Sequence, residues 1–182
     1  MTGMQIPRLG PVTEDDVERY RTDEPVPVPV LGGGRFHVFL DGYDDDPDRD
    51  ETHAVIGAFL DLDASVLRAA APAVYDYYLD TVADLRAAGL EVPVRIGGPD
   101  EVFDHVRFGE ITVVRDGAEG DGPVYVSIEC ECAWEPEHGL QIVFRAGRSV
   151  TKVGPYDGDL TTDGDTPSGT PYARRTGNVG AL

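Results

Sequence analysis

From Val124 to Cys132 the chain alternates in strict order. Val124, Val126, Ile128, Cys130 and Cys132 fall on one side, and Tyr125, Ser127, Glu129 and Glu131 on the other. A period of two marks a strand with its apolar side against a core and its polar side turned outward. A loop at Glu135 to Gly139 and a two-residue turn at Ala146-Gly147 follow, so the chain makes two hairpins in succession. That pattern requires antiparallel neighbours, because parallel ones need a long crossover. It predicts a meander from about Val106 to Val153.

Register follows from the same turns. A Glu135–Gly139 loop pairs Cys132 with Ile142 and Glu129 with Arg145, matching apolar with apolar and acid with base. Arg145 and Arg148 then flank the second turn, and counting back places Gly154 opposite Gly139. Two loops meet at one sheet end in this arrangement. They bring Trp134, Glu135, Glu137 and His138 towards Tyr156, Asp157 and Asp159. Carboxylates with an imidazole suit Mg, Mn or Zn, and such a pair also serves as acid and base. The simpler reading has His138 bonded to a turn acceptor while Trp134 and Tyr156 seal the core, and it is preferred because charged turns are common. No zinc spacing, nucleophile elbow or phosphate-binding glycine loop is present, so no metal or cofactor is expected. Cys130 and Cys132 read as small buried hydrophobes rather than ligands, since a thiolate site needs more cysteines than these two.

Upstream, the helical period appears between about Asp50 and Ala88. Ile56, Phe59 and Leu60 form one stripe, and Val74, Tyr78, Val82 and Leu85 another. Asp63 is a suitable cap for a helix from Ala64 to Ala70, and Pro72 suits the first turn of a new helix. Tyr75, Tyr77 and Tyr78 are expected in the core with hydroxyls at its rim, not as an aromatic cage. Leu90 to Ile96 reads as a short strand, and Pro99 to His105 as one helical turn. Asp44, Asp46 and Asp48 alternate as calcium ligands do, but Arg49 stands where the loop needs Gly and Val55 where it needs Glu. A solvated acidic loop that caps the next helix is the expectation there.

Residues 1–24 read as a flexible N-terminal arm, with Thr13 capping a short helix. Pro25 to Val30 alternates proline with valine, which suits an extended edge segment. Residues 25–158 read as a single α+β domain: an antiparallel β-meander sheet with two to three helices packed on one face. Residues 159–182, rich in Gly, Thr, Asp and Pro, read as a disordered tail.

The 182 residues carry 34 acidic against 15 basic side chains, a net charge of −19, and Lys152 is the only lysine. Phosphate and anionic lipid both need a basic face, so nucleic acid and membrane are disfavoured as partners. An acidic surface suits a basic protein partner. The first ten residues hold no apolar signal region and the two cysteines form no disulfide framework, so a cytoplasmic protein is expected.

Several blocks in order resemble a known family: Val26 to Gly33, Leu40 to Asp45, His53 to Leu60, Tyr75 to Tyr78, Val124 to Ile142 and Lys152 to Gly158. Trp134-Glu-Pro-Glu-His-Gly-Leu140 is the most specific of them. The resemblance is to bacterial cytoplasmic proteins classed only as a domain of unknown function. It spans roughly residues 23 to 165 and carries no catalytic residues with it. The expected function is a small acidic binding or interaction domain of regulatory or toxin-neutralising type, more in keeping with a non-enzyme. The alternative is a metal-assisted hydrolase using Glu137, His138 and Asp157.

Overall fold

In a computed structural model, which describes residues 4–117, 120–162 and 171–172, the alternating segment is β8, Val124–Cys132. It lies between β7 (Val106–Arg115) and β9 (Leu140–Arg145), and β9 pairs with β10 (Ser149–Gly154), all antiparallel. This is the expected meander, and the fold is α+β.

The sheet extends further than the sequence pattern does. Met4–Ile6, Gly10–Glu14 and Tyr20–Thr22 form β1, β2 and β3, and the described residues make an eight-stranded sheet ordered β1-β2-β3-β6-β7-β8-β9-β10. The expected arm is therefore part of the sheet, and Thr13 sits in β2 rather than capping a helix. Ile6, Leu9 and Val12 are buried in the main core. Strands of three to five residues carry too few alternations to show a period, so their pairing comes from tertiary contact. Val26–Val28 (β4) and Gly34–Phe36 (β5) form a separate two-stranded sheet, where the prolines occupy an edge. Val38–Asp41 (β6) pairs parallel with β7, with both helices in the crossover between them.

Helix α1 (Arg49–Leu60) is capped by Asp48, whose carboxylate accepts from the Glu51 amide at 3.1 Å. Helix α2 runs unbroken from Ala64 to Ala87, capped by Asp63. Pro72 does not begin a new helix. It is exposed while Leu67, Ala71, Val74 and Tyr78 stay buried, so the bond it removes falls on the water side and the apolar stripe carries the helix through. The helices pack on the face bearing Val126, Ile128 and Phe144. Phe59 of α1 meets Phe144 edge-on, ring centroids 5.2 Å apart.

Leu90 to Ile96 is not a strand. It is held instead by tyrosine hydroxyls of α2: Tyr78 donates to the Val94 carbonyl at 3.2 Å and accepts from the Ile96 amide at 3.1 Å, and Tyr75 donates to the Ile96 carbonyl. Pro99–His105 is a 3-10 helix. The acidic loop is less solvated than its composition implies. Asp46 is buried against Arg115, Nε to Oδ1 at 2.9 Å, and accepts the Asp48 amide as well. Ala118 and Glu119 lie outside the described residues, as do 163–170 and 173–182 of the expected disordered tail. Pro171 and Tyr172 are described, and they are docked: the Val153 amide donates to the Pro171 carbonyl and Tyr172 is 8% exposed.

Candidate functional site

The end of the meander is built by a register four residues from the expected one. Cys130 faces Leu140 and Glu129 faces Gln141, while Glu131 and Cys132 continue past the end of β9 and pair with β7 alone. An even shift preserves parity, so the cysteines stay on the core face although every partner changes. The second turn has three residues, Ala146 to Arg148, rather than the expected two, and a bulge between Val150 and Lys152 adds one more step, so Gly154 stands opposite Gln141, not Gly139. The two loops still meet, because the Tyr156 amide donates to the His138 carbonyl at 3.2 Å.

Within that end the predicted site residues separate. His138 Nδ1 lies 2.6 Å from Glu135 Oε2, and the Glu137 amide donates to Glu135 Oε1 at 3.0 Å. Burial pushes the Glu135 carboxyl up, but the bonds from His138 and the loop amides outweigh it and hold the group below its usual range. The Glu137 and His138 side chains are exposed, and Tyr156 is half-exposed. Asp157 turns to the other side and pairs with Lys152. Glu137, His138 and Asp157 do not converge, and among the described residues no three His, Cys, Asp or Glu side chains are arranged to hold a metal. His138 bonds a turn carboxylate and Trp134 is buried, as in the simpler reading, but Tyr156, 40% exposed, does not seal the core.

The sheet face away from the helices is covered around Ser127, Gln141 and Lys152, while Glu129 and Glu131 remain exposed. Lys152, 4% exposed, donates to Gln141 Oε1 at 3.0 Å and to the Asp159 carbonyl at 2.7 Å, and also pairs with Asp157. Gln141 in turn donates to Ser127 Oγ at 3.0 Å. Ser127 and Tyr125, expected to face water, are buried on this side.

Trp134 leads to a feature that the loop sequence does not announce. Its side chain is 1% exposed and packs edge-on against Tyr77 and Tyr78, with centroids 5.9 Å away in each pair. Its indole Nε1 is buried with no acceptor among the described residues. Trp134 also lines a groove of about 760 Å³ between the C-terminal half of α2, the segment after it, and the Trp134–Glu137 loop. The groove's apolar surface includes Leu85, Pro93 and Leu90, the last 60% exposed. Among the described residues its charged lining is Asp80, Asp84, Glu91, Glu135 and Glu137, with no Lys, Arg or His. One signal for it lay in the sequence: Asp80 and Asp84 approach the C-terminal end of a helix, where the macrodipole disfavours carboxylates.

No helix among the described residues is long and apolar enough to cross a membrane. No curated protein and no solved structure matches the chain. A family model does match, over residues 8–160, which takes in β2 to β10, both helices and the Trp134–His138 loop. The chain belongs to the family described as a domain of unknown function, DUF6985.

Proposed function

We propose that the protein is a binding module that docks a basic, partly apolar segment of another protein in the groove between α2 and the Trp134–Glu137 loop. The observation that carries this reading is the groove's composition, an apolar floor whose charged lining, among the described residues, is acidic. An apolar cleft with exposed Leu90 favours a partner that brings apolar side chains out of water. The rim carboxylates, joined by the partial negative charge at the end of α2, favour cations and disfavour acidic competitors. A regulatory or toxin-neutralising role against a basic protein accords with the net charge of −19.

Selection from a random peptide display library on the full chain tests the reading. Enriched peptides are expected to combine arginine or lysine with aromatic or aliphatic residues, to bind more weakly as salt rises, and to be lost on an Asp84→Lys, Glu91→Lys chain. Acidic or charge-indifferent winners, or binding untouched by that charge reversal, would refute it.

A further inference from the structure

We infer that the sheet face away from the helices carries a second site, a small pocket that takes a single amino-sugar ring. The pocket, about 160 Å³, is lined by side chains of β6 to β9, by Arg19 and by residues of the 156–160 segment. It shares no lining residue with the groove. Its floor has donors to spare. Ser127 and Gln141 line it while only 8% and 1% exposed. Ser127 Oγ accepts from Gln141 Nε2 at 3.0 Å, but neither the serine proton nor the second amide proton meets an acceptor among the described residues. Buried polar groups are ordinarily satisfied, so spare donors lining a cavity call for an acceptor that enters it.

The walls add charge. Between the pairs Phe108–Cys130 and Ile111–Ile128, Gly109 and Glu110 stand against Glu129 alone, and a Cβ on Gly109 would come within 2.8 Å of the Glu129 carbonyl. Bulges of this kind re-aim a side chain and are frequent beside functional sites. Here the bulge brings Glu110 and Glu129 to one pocket. Arg19 is spent on Glu110, Nη1 to Oε1 at 2.6 Å, and on Asp15. Asp41 and Glu129, both exposed, have no cationic partner among the described residues. The acidic side chains are not set as metal ligands, so their complement is an organic ammonium. Half-exposed Tyr156, with Val114 and Leu160, supplies the apolar part of the lining. Burial, then the Glu129 and Glu110 carboxylates, push the Tyr156 phenol up, which places these groups within reach of one another. Sites for drug-sized ligands run to roughly 300–1,000 Å³, so this one holds a ring rather than a chain. A hydroxylated ring bearing an ammonium group offers acceptors to the floor, a cation to the walls and C–H edges to the tyrosine face.

The probes are glucosamine, galactosamine and mannosamine, titrated into the full chain at mildly acidic pH, where the amine is charged, and followed by amide chemical shifts. Saturable binding of at least one is expected, with shifts centred on Ser127, Glu129 and Gln141. The parent neutral sugar should bind about tenfold more weakly, the loss of one charge-assisted hydrogen bond. Glu129→Gln should remove that advantage and leave the neutral sugar unaffected, whereas Tyr156→Ala should weaken both. Both side chains lie outside the core, so the variants keep the fold. Binding by none of the three, shifts centred on another surface, or a neutral sugar that binds equally well would overturn the inference. An advantage that survives Glu129→Gln would do the same. Ethanolamine binding as tightly as the ring would also refute it, since the site would then read only the ammonium. No groove residue is altered in this test, so its outcome is separate from that of the function proposed above.

Discussion

The Lys152 ammonium donates to Gln141 Oε1 across 3.0 Å beneath a covered sheet face, and Gln141 is itself only 1% exposed. Removing the cation leaves a buried amide oxygen without its donor, which is costlier than the bond's net worth. Lys152→Ala is expected to destabilise the protein by about 2–4 kcal/mol in urea unfolding. Lys152→Met combined with Gln141→Leu should recover part of that loss, because the buried amide oxygen goes with its donor, although Ser127 Oγ and the Asp159 carbonyl lose theirs. A double variant no more stable than Lys152→Ala would contradict this account.

Tyr78 tests whether hydroxyls substitute for strand pairing in residues 90–96. Tyr78→Phe keeps the packing against Trp134 but strands the Ile96 amide and the Val94 carbonyl. A loss of about 1–3 kcal/mol is expected, accompanied by faster amide exchange in this segment. Unchanged exchange at Ile96 would show that the segment is held by other contacts.

The thiols of Cys130 and Cys132 should resist reagents in the native protein. Burial raises both, Cys132 to about 11. A raised thiol contributes nothing to pH dependence below the ordinary value of about 8.5. Above it the unfolded chain ionises while the folded one stays protonated, so stability should fall as pH climbs from there towards 11. Replacing both cysteines by alanine should flatten that alkaline limb. Rapid labelling of either thiol at neutral pH would contradict its burial.

The Glu135 carboxyl is shifted in the opposite sense. A depressed group lends stability above its ordinary value near 4.3 and loses it as pH falls through the folded value. Glu135→Gln should make the acid limb of a stability–pH curve shallower, and His138→Ala should cost about 1 kcal/mol near neutrality through the lost turn bond. Addition of Mg, Mn or Zn should leave the melting temperature of either chain where it was. A metal-induced rise abolished in His138→Ala would reinstate the metal site.

Face assignment along β8 was legible because alternation survives any even error in pairing. Register was not: nothing in the sequence says that Glu131 and Cys132 outrun β9, and a bulge at Val150 leaves no mark of its own. The strands before Thr22 are too short to show a period, and proline at 72 was read by its local cost when its exposure makes that cost tolerable. Of the site, Trp134 and the Glu135–His138 contact were readable within one loop. The groove was not, because its two walls lie about fifty residues apart in the chain and Tyr172 comes from further still.

The parallel pairing of β6 with β7 fixes an order of events when the chain is made. β1, β2, β3 and β6 all leave the ribosome before residues 42–105, yet β6 has no second neighbour until β7 has emerged and both helices have formed. For that interval the nascent sheet shows a bare edge, the feature through which strands find the wrong partner. Its shortness, four residues at β6, is the safeguard: too little ladder is on offer to hold a stranger before the proper neighbour arrives.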